Sequence, residues 1–452
     1  MENPGHHDAR AVWQAAVAAV DSESLVRNCL QVRKHTLHIC GQQIPLDEVH
    51  HIEVVGAGKA GAGMARAAEK QLESLPPHIT WSGQVNVPDD CVEQLTRIRL
   101  VGARPAGINE PTEAGVRSTR EILHRVSRVQ PPDLCLVLLS GGGSALLPAP
   151  VPEIPLEDKL KVTRLLSTAG ASIQELNTVR SRISDVKAGG LARACGASRL
   201  VTLVISDVIG DPLEFIASGP AYVTECPPDD ALAVLRRYDP GLHNTPDSVI
   251  RKLQKPARKP DPISCDVSHH IIGNNQTALR AAATEAADRG YRVIQSGSNH
   301  CGNAADFGRK LFVRLSKLRD QLVPGEKPIC LLSGGETTVQ LCDEKTRGRG
   351  GRNQEIVISA ITEAPASTSW EDITLLSGGT DGEDGPTPSA GAIADSQLVA
   401  AMLTAGLEPT EFLNCNNAWP FFDRLGGLIN TGPTHTNVMD VQVGMVRQPG
   451  AA

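Results

Sequence analysis

The pentapeptide Leu-Leu-Ser-Gly-Gly occurs three times, at 138–142, 331–335 and 375–379, and it narrows the folds open to this chain more than any other feature. Each copy ends a short apolar run with residues that break regular structure. That predicts a buried strand delivering a tight, glycine-rich loop whose backbone amides suit an anion. Three such strands, separated by helical patterns, predict an α/β protein with mainly parallel sheets, helices on both faces and ligand loops at the strand C-termini.

The neighbourhood of each copy adds charge. After Ser333, Gly334 and Gly335 come Arg347, Arg349 and Arg352, interleaved with Gly348, Gly350 and Gly351. Three permanent cations on a backbone that can approach a ligand closely read as a phosphate or carboxylate clamp, with a solvated basic loop as the alternative. The first copy runs into Gly141, Gly142, Gly143 and Ser144, either a nest for a polyphosphate or a structural turn. Upstream, a strand at 51–55 leads into Gly56-Ala57-Gly58-Lys59-Ala60-Gly61, which satisfies G-x-G-x-x-G before a helix. A nicotinamide-binding unit would also carry an acidic residue about 20 positions on; that region reads Pro76-Pro77-His78-Ile79-Thr80. Lys59 lies inside the glycines, which is not a Walker loop. It is either a charge placed at an anion or a solvent-facing residue on a strand–turn–helix joint.

Other charged residues stand near glycines or after a strand-like run. Arg180 and Lys187 precede the pair Gly189-Gly190, and Asp207 and Asp211 follow the run at 201–205. Mg²⁺ favours one or two carboxylates with substrate phosphates, so Asp207 and Asp211 are metal candidates, with Asp211 alternatively a turn residue before Pro212. Asp381, Glu383 and Asp384 share the loop after the third copy, which predicts a metal- or hydroxyl-binding loop or an exposed acidic turn.

Composition excludes several classes. A net charge of −7, a pI near 6.0 and 3% aromatics argue against a nucleic-acid partner. Eleven cysteines without a Cys-x-x-Cys pair suggest neither a disulfide framework nor a zinc knuckle. The start MENPGHHDAR is not a signal peptide, and no apolar run reaches the roughly 18 residues of a membrane span. Small-molecule partners, no membrane and a cytoplasmic location are expected; oligomeric state is not readable. The proline-rich stretch 225–266 predicts a boundary between domains at 1–250 and 266–446, with a helix at 8–30 and residues 1 to about 45 able to join either half.

In order along the chain, GAGKAGAGMA (56–65), LLSGGGSALL (138–147), NTVR, KAGG, SDVIGDPLEFIASGP (206–220), IGNN (272–275), LLSGGETTV (331–339), GRGGRNQE (348–355), GGTDGEDGPTPSAGA (378–392) and GPTHTNV (432–438) together resemble the class II glycerate 2-kinases. The resemblance implies a Rossmann-like kinase domain, a C-terminal MOFRL domain and an active site in the cleft between them. It implies ATP- and Mg²⁺-dependent phosphorylation of (R)-glycerate at the 2-hydroxyl, giving 2-phosphoglycerate and ADP. It makes Lys59 and Arg352 the catalytic cations; the residues themselves leave Asp207, Glu336 and Asp381 as candidates for Mg²⁺ or for activating the acceptor hydroxyl, with Asp207 the catalytic candidate. Arg180, Arg349, Asn275 and Glu336 become candidates to contact the acceptor, and Asp207 and Asp381 the metal candidates. Two segments depart from the family pattern. Gly102-Ala103-Arg104-Pro105-Ala106-Gly107-Ile108-Asn109-Glu110-Pro111 stands for Gly-His-Pro-x-Pro-Asp-Glu, and Ser181-Arg182-Ile183-Ser184 for Lys-His-Leu-Ser; both bear on the acceptor pocket. The alternatives are an NAD(P)H-dependent hydroxypyruvate reductase and a catalytically silent nucleotide-binding homologue.

Overall fold

Strands buried on both faces need helices on each side, and two separate sheets of this kind organise the chain. The computed structural model of the protein describes residues 4–105, 107–108, 110–223, 228–255 and 261–448. Ala106 and Asn109 of the altered segment, and Pro227, Pro256, Lys259 and Pro260 of the proline-rich stretch, lie outside the described residues. The chain divides into two units, one of residues 22–272 and one that joins residues 1–21 to 273–452.

The first unit opens with an antiparallel sheet of β1 (Leu30–Arg33), β2 (Thr36–Ile39) and β3 (Gln42–Pro45). Its main sheet contains β4 (His51–Ala57), β5 (Thr80–Pro88), β6 (Ile98–Arg104), β7 (Leu134–Leu139), β8 (Arg199–Ile205) and β9 (Asp266–Gly273), in the order β6-β5-β4-β7-β8-β9. The pairings β4–β5, β5–β6, β4–β7 and β7–β8 are all parallel. From β4 the chain winds outward to β6, then returns to continue on the other side with β7. The order therefore reverses between β4 and β7, where open α/β sheets bind ligands beyond the strand C-termini. Lys59 follows β4 and the Gly141–Gly143 glycines follow β7, so topology alone brings them to this point.

The second unit contains β10 (Arg292–Gln295), β11 (Ile329–Gly335), β12 (Ile373–Gly379), β13 (Gly391–Asp395), β14 (Leu428–Ile429) and β15 (Asp440–Val446), in the order β10-β11-β15-β12-β13-β14. The α/β class holds here too, but the sheet is mixed. Only β10–β11 is parallel, because β15 inserts antiparallel between β11 and β12.

The helix expected over 8–30 is two helices, Pro4–Ala19 and Ser22–Cys29, and they belong to different units. Val20 and Asp21 separate them, and aspartate is a residue type that favours helix caps over helix interiors. Helix Pro4–Ala19 buries Val12, Trp13 and Ala16 in the second unit, and Trp13 Nε1 donates to the Gly378 carbonyl at 3.1 Å. A Cβ on Gly378 would stand 2.8 Å from that indole. Among the described residues no helix is long and apolar enough to cross a membrane.

Candidate active site

In the first unit, cations gather around the turn after β7. Gly142 adopts φ +76°, and a Cβ there would meet Arg104 Nη2 at 3.4 Å and Lys59 Cγ at 3.5 Å. The absent side chain lets both cations lie along the loop. The G-x-G-x-x-G glycines have a different task from the one expected. Gly58 N donates to Asn86 O, Lys59 N to Gly141 O, Ala60 N to Ser140 Oγ and Gly61 N to Gly58 O. The Lys59 and Ala60 amides tie the two loops together, and none of the four is a bare donor for a phosphate. A Cβ on Gly56 would fall 2.1 Å from Leu138 O, so that glycine serves close strand packing. The hydroxypyruvate reductase alternative thereby loses its main support.

On the far side of the loop, Ser144 Oγ accepts from Arg180 Nη2 and, at 2.7 Å, from Lys187 Nζ, and it bonds Ser218 Oγ at 3.1 Å. Lys187 also reaches Ala217 O at 3.4 Å. Ala217 (φ 51°) and Ser218 (φ 62°) are non-glycine residues in the left-handed region, strain of a kind that collects at functional sites. Gly142, Ser144, Arg180, Asp207 and Lys159 line one cavity of about 480 Å³. Burial pushes the Lys187 ammonium well below its usual range, with the charges of Arg180 and Lys159 adding to the effect. Burial alone lowers the Arg180 guanidinium. Among the described residues, no carboxylate lies within 4.0 Å of Lys159, Arg180 or Lys187. Buried charge without a counter-charge is costly, and an anionic ligand is the natural remedy.

Asp207 is half-buried at the mouth of β8 and lines the same cavity. Asp211 (φ 55°) occupies a turn, in line with its alternative reading. Among the described residues, no group of three or more His, Cys, Asp or Glu side chains could hold a metal ion.

The second unit has its own charged centre. Arg352 Nε and Nη2 bind Asp440 at 2.6 and 2.9 Å, and Nη1 lies 3.1 Å from Glu336. Asp384 accepts from the amides of Asn353 (3.0 Å) and Gln354 (2.8 Å), the first turn of helix Arg352–Glu363. A Cβ on Gly351 would collide with that carboxylate at 2.3 Å, so the glycines before Arg352 make room for an internal cap.

Several expected ligand contacts prove structural. Ser333, Gly334 and Gly335 are not a bare-amide loop: β11 runs through them, paired with β15. Ser333 Oγ donates to Gln442, and Gly334 N and Glu336 N donate to Gly297 O and His300 O. Asn275 is buried and its Nδ2 donates at 2.9 Å to the carbonyls of both Val438 and Asp440, so it fastens β15. Arg349 is exposed, with its guanidinium 4.6 Å from the Trp419 ring. Asp381 accepts from Glu383 N at 3.2 Å, a turn contact.

Burial pushes the Asp384 carboxyl up to about 7, with the Asp440 charge adding and the two amides and Arg352 opposing. A carboxyl raised above its unfolded value of 3.8 contributes stability that is fully present below that value and is lost as pH rises through about 7. The stability of wild type relative to Asp384→Asn should therefore fall from pH 4 to pH 7. Urea unfolding of both proteins at stepped pH checks this, and a relative stability of wild type that rises with pH contradicts it.

Comparisons with known proteins are extensive. Residues 8–254 match a family model described as a domain of unknown function (DUF4147), and residues 329–440 match the MOFRL family. A glycerate kinase from Danio rerio is 36% identical, covering 96% of both chains, and one from Homo sapiens is 35% identical, covering 97% of this chain and 92% of that one. A D-glycerate 2-kinase from Thermotoga maritima is 35% identical, over 94% of this chain and 99% of the relative. Among solved structures, a glycerate kinase from Thermotoga maritima superposes with a TM-score of 0.81 at 32% identity, covering 98% and 99% of the two chains. A protein from Pyrococcus horikoshii OT3 gives 0.81 at 30%, covering 99% and 100%.

Proposed function

The chain belongs to the glycerate kinase family, with a DUF4147 region followed by a MOFRL region, and from that premise we propose that it transfers the γ-phosphoryl group of ATP to the 2-hydroxyl of (R)-glycerate, releasing ADP and 2-phosphoglycerate. The observation that carries this reading is the cavity beside Gly142, where buried cations lack carboxylate partners. Both substrates are anions, and their charges would compensate that burial.

Phosphoryl transfer passes through a loose transition state, so the protein contributes positioning and charge more than covalent chemistry. We assign to Lys59, beside Gly142, the neutralisation of phosphate oxygens as charge shifts toward the leaving group. Arg180 and Lys187, pinned on Ser144, draw the acceptor's carboxylate and orient its 2-hydroxyl. Mg²⁺ takes one or two carboxylates plus substrate phosphates, and we assign Asp207, which lines the cavity, to hold it, where the ion would neutralise phosphate charge. In the second unit an incoming anion would displace exposed Glu336 from Arg352 Nη1 and leave the Asp440 pair intact.

The test is ADP release over a panel of small 2-hydroxy acids, with the phosphate position assigned by phosphorus NMR. Turnover with (R)-glycerate and phosphate on C2 is expected. A product phosphorylated on C3, or no ADP release with glycerate, contradicts the reading.

A further inference from the structure

Helix Leu156–Thr168 buries a stripe of Leu156, Lys159, Val162 and Leu166, so a lysine occupies a position that periodicity reserves for an apolar side chain. Only 3% of Lys159 is exposed, and its Nζ has no hydrogen-bond partner. A buried ammonium donates up to three hydrogen bonds, and leaving them unmade is expensive. Packing alone does not explain this: a leucine would fill the stripe without the penalty. The side chain lines the cavity shared with Gly142, Ser144, Arg180 and Asp207. Glu110 and Arg164 also line it, but they bond each other, at 3.0 Å through Arg164 Nε.

We propose that Lys159 is the specificity residue for the acceptor, binding the carboxylate of a small 2-hydroxy acid within this cavity. The assignment rests on the kinase reading above and deepens it. Three arguments favour an acceptor carboxylate over a donor phosphate or a role as general base. First, Lys159 lines the cavity with Arg180, which donates to Ser144, whereas Lys59 and Arg104 lie against Gly142 and do not line it. Secondly, a carboxylate between Lys159 and Arg180 would satisfy a lone ammonium and a guanidinium together, and charge-assisted bonds of this kind are the strong ones. Thirdly, a neutral lysine acting as base would need a partner to orient its lone pair, and no hydrogen bond holds Nζ.

Burial, with Arg180 adding and Asp185 opposing, lowers the Lys159 ammonium to about 7. The charged groups facing it are those two, Lys187 and, across the cavity, Asp207 and the Glu110–Arg164 pair. Above pH 7 the free enzyme must take up a proton to bind a carboxylate. The KM for glycerate should then rise by up to roughly tenfold per pH unit until the bound-state value is passed.

Lys159→Met tests the assignment. Methionine fills the stripe and removes a buried unpaired charge, so the variant should unfold no earlier than wild type near pH 7. Expected is a rise of about ten- to a hundredfold in KM for (R)-glycerate, with the KM for ATP unchanged and kcat within about threefold of wild type. The preference for glycerate over its uncharged amide should shrink by the same factor, and the alkaline rise in KM should vanish. Calorimetric titration of glycerate into both proteins, without ATP, should show the same loss of affinity. A kcat that falls while KM stays put, or a KM for ATP that rises instead, overturns the assignment while leaving the kinase reading standing. Glycerate binding lost in Lys159→Met but no ADP release by wild type overturns the kinase reading alone. A wild type that binds no glycerate overturns both.

Discussion

Replacing Arg352 by methionine will destabilise the second unit by about 3–5 kcal/mol, the usual cost of removing one partner from a buried ion pair. Asp440 is 0% exposed and takes two hydrogen bonds from Arg352; without them its charge is stranded beside Asp384. The double variant Arg352→Met/Asp440→Asn should recover most of the loss, because the amide needs no counter-charge. Three of the four tryptophans, Trp13, Trp370 and Trp419, belong to this unit. Tryptophan fluorescence during urea unfolding will therefore report chiefly on it. A single variant as stable as wild type would show that Asp440 is satisfied without the guanidinium. The motif alone predicts a loss of kcat with the fold intact, whereas the ion pair makes Arg352 a structural residue as well. Its part in catalysis is best measured with lysine in its place.

Removing the side chain of Lys59 acts differently. Lys59→Ala should lower kcat by about a hundredfold or more, the magnitude typical of losing one charge aimed at a transition state, and leave the melting temperature close to wild type. The backbone bond from Lys59 N to Gly141 O and that from Ala60 N to Ser140 Oγ survive the substitution, so the loop keeps its shape. Steady-state ADP release alongside a thermal melt separates the two effects. Turnover within a few-fold of wild type would remove Lys59 from the mechanism.

The sequence made one half of this arrangement readable and concealed the other. Lys59, Gly142 and Ser144 carry local signals, glycines and charge at strand ends, and Arg180 lies on a helix ahead of a glycine pair; in the first unit these residues gather around the turn after β7. The same pentapeptide misleads at Ser333, Gly334 and Gly335. There the strand continues because β15, more than a hundred residues downstream, supplies a partner that no local pattern announces. Asn275 in its motif looks like a polar ligand contact, yet it answers two carbonyls that only that late pairing brings near. Asp384 was visible as one of three clustered acids, but its capping of a helix thirty residues earlier in the chain was not. Lys159 left a faint trace, a cation on an otherwise apolar stripe. Periodicity reads such a residue as noise until the neighbouring helices show that nothing answers its charge.

The place of β15 also bears on how the polypeptide acquires its shape during synthesis. β15, C-terminal to the other strands described, is an interior member of its sheet, hydrogen-bonded on both edges, while helix Pro4–Ala19, N-terminal to them all, belongs to the same unit. Residues 22–272 can condense as soon as they are translated, but β11 and β12 must wait with bare edges. Such edges invite intermolecular pairing. Nascent chains stalled just short of Asp440 should therefore be the species that chaperones hold most tightly.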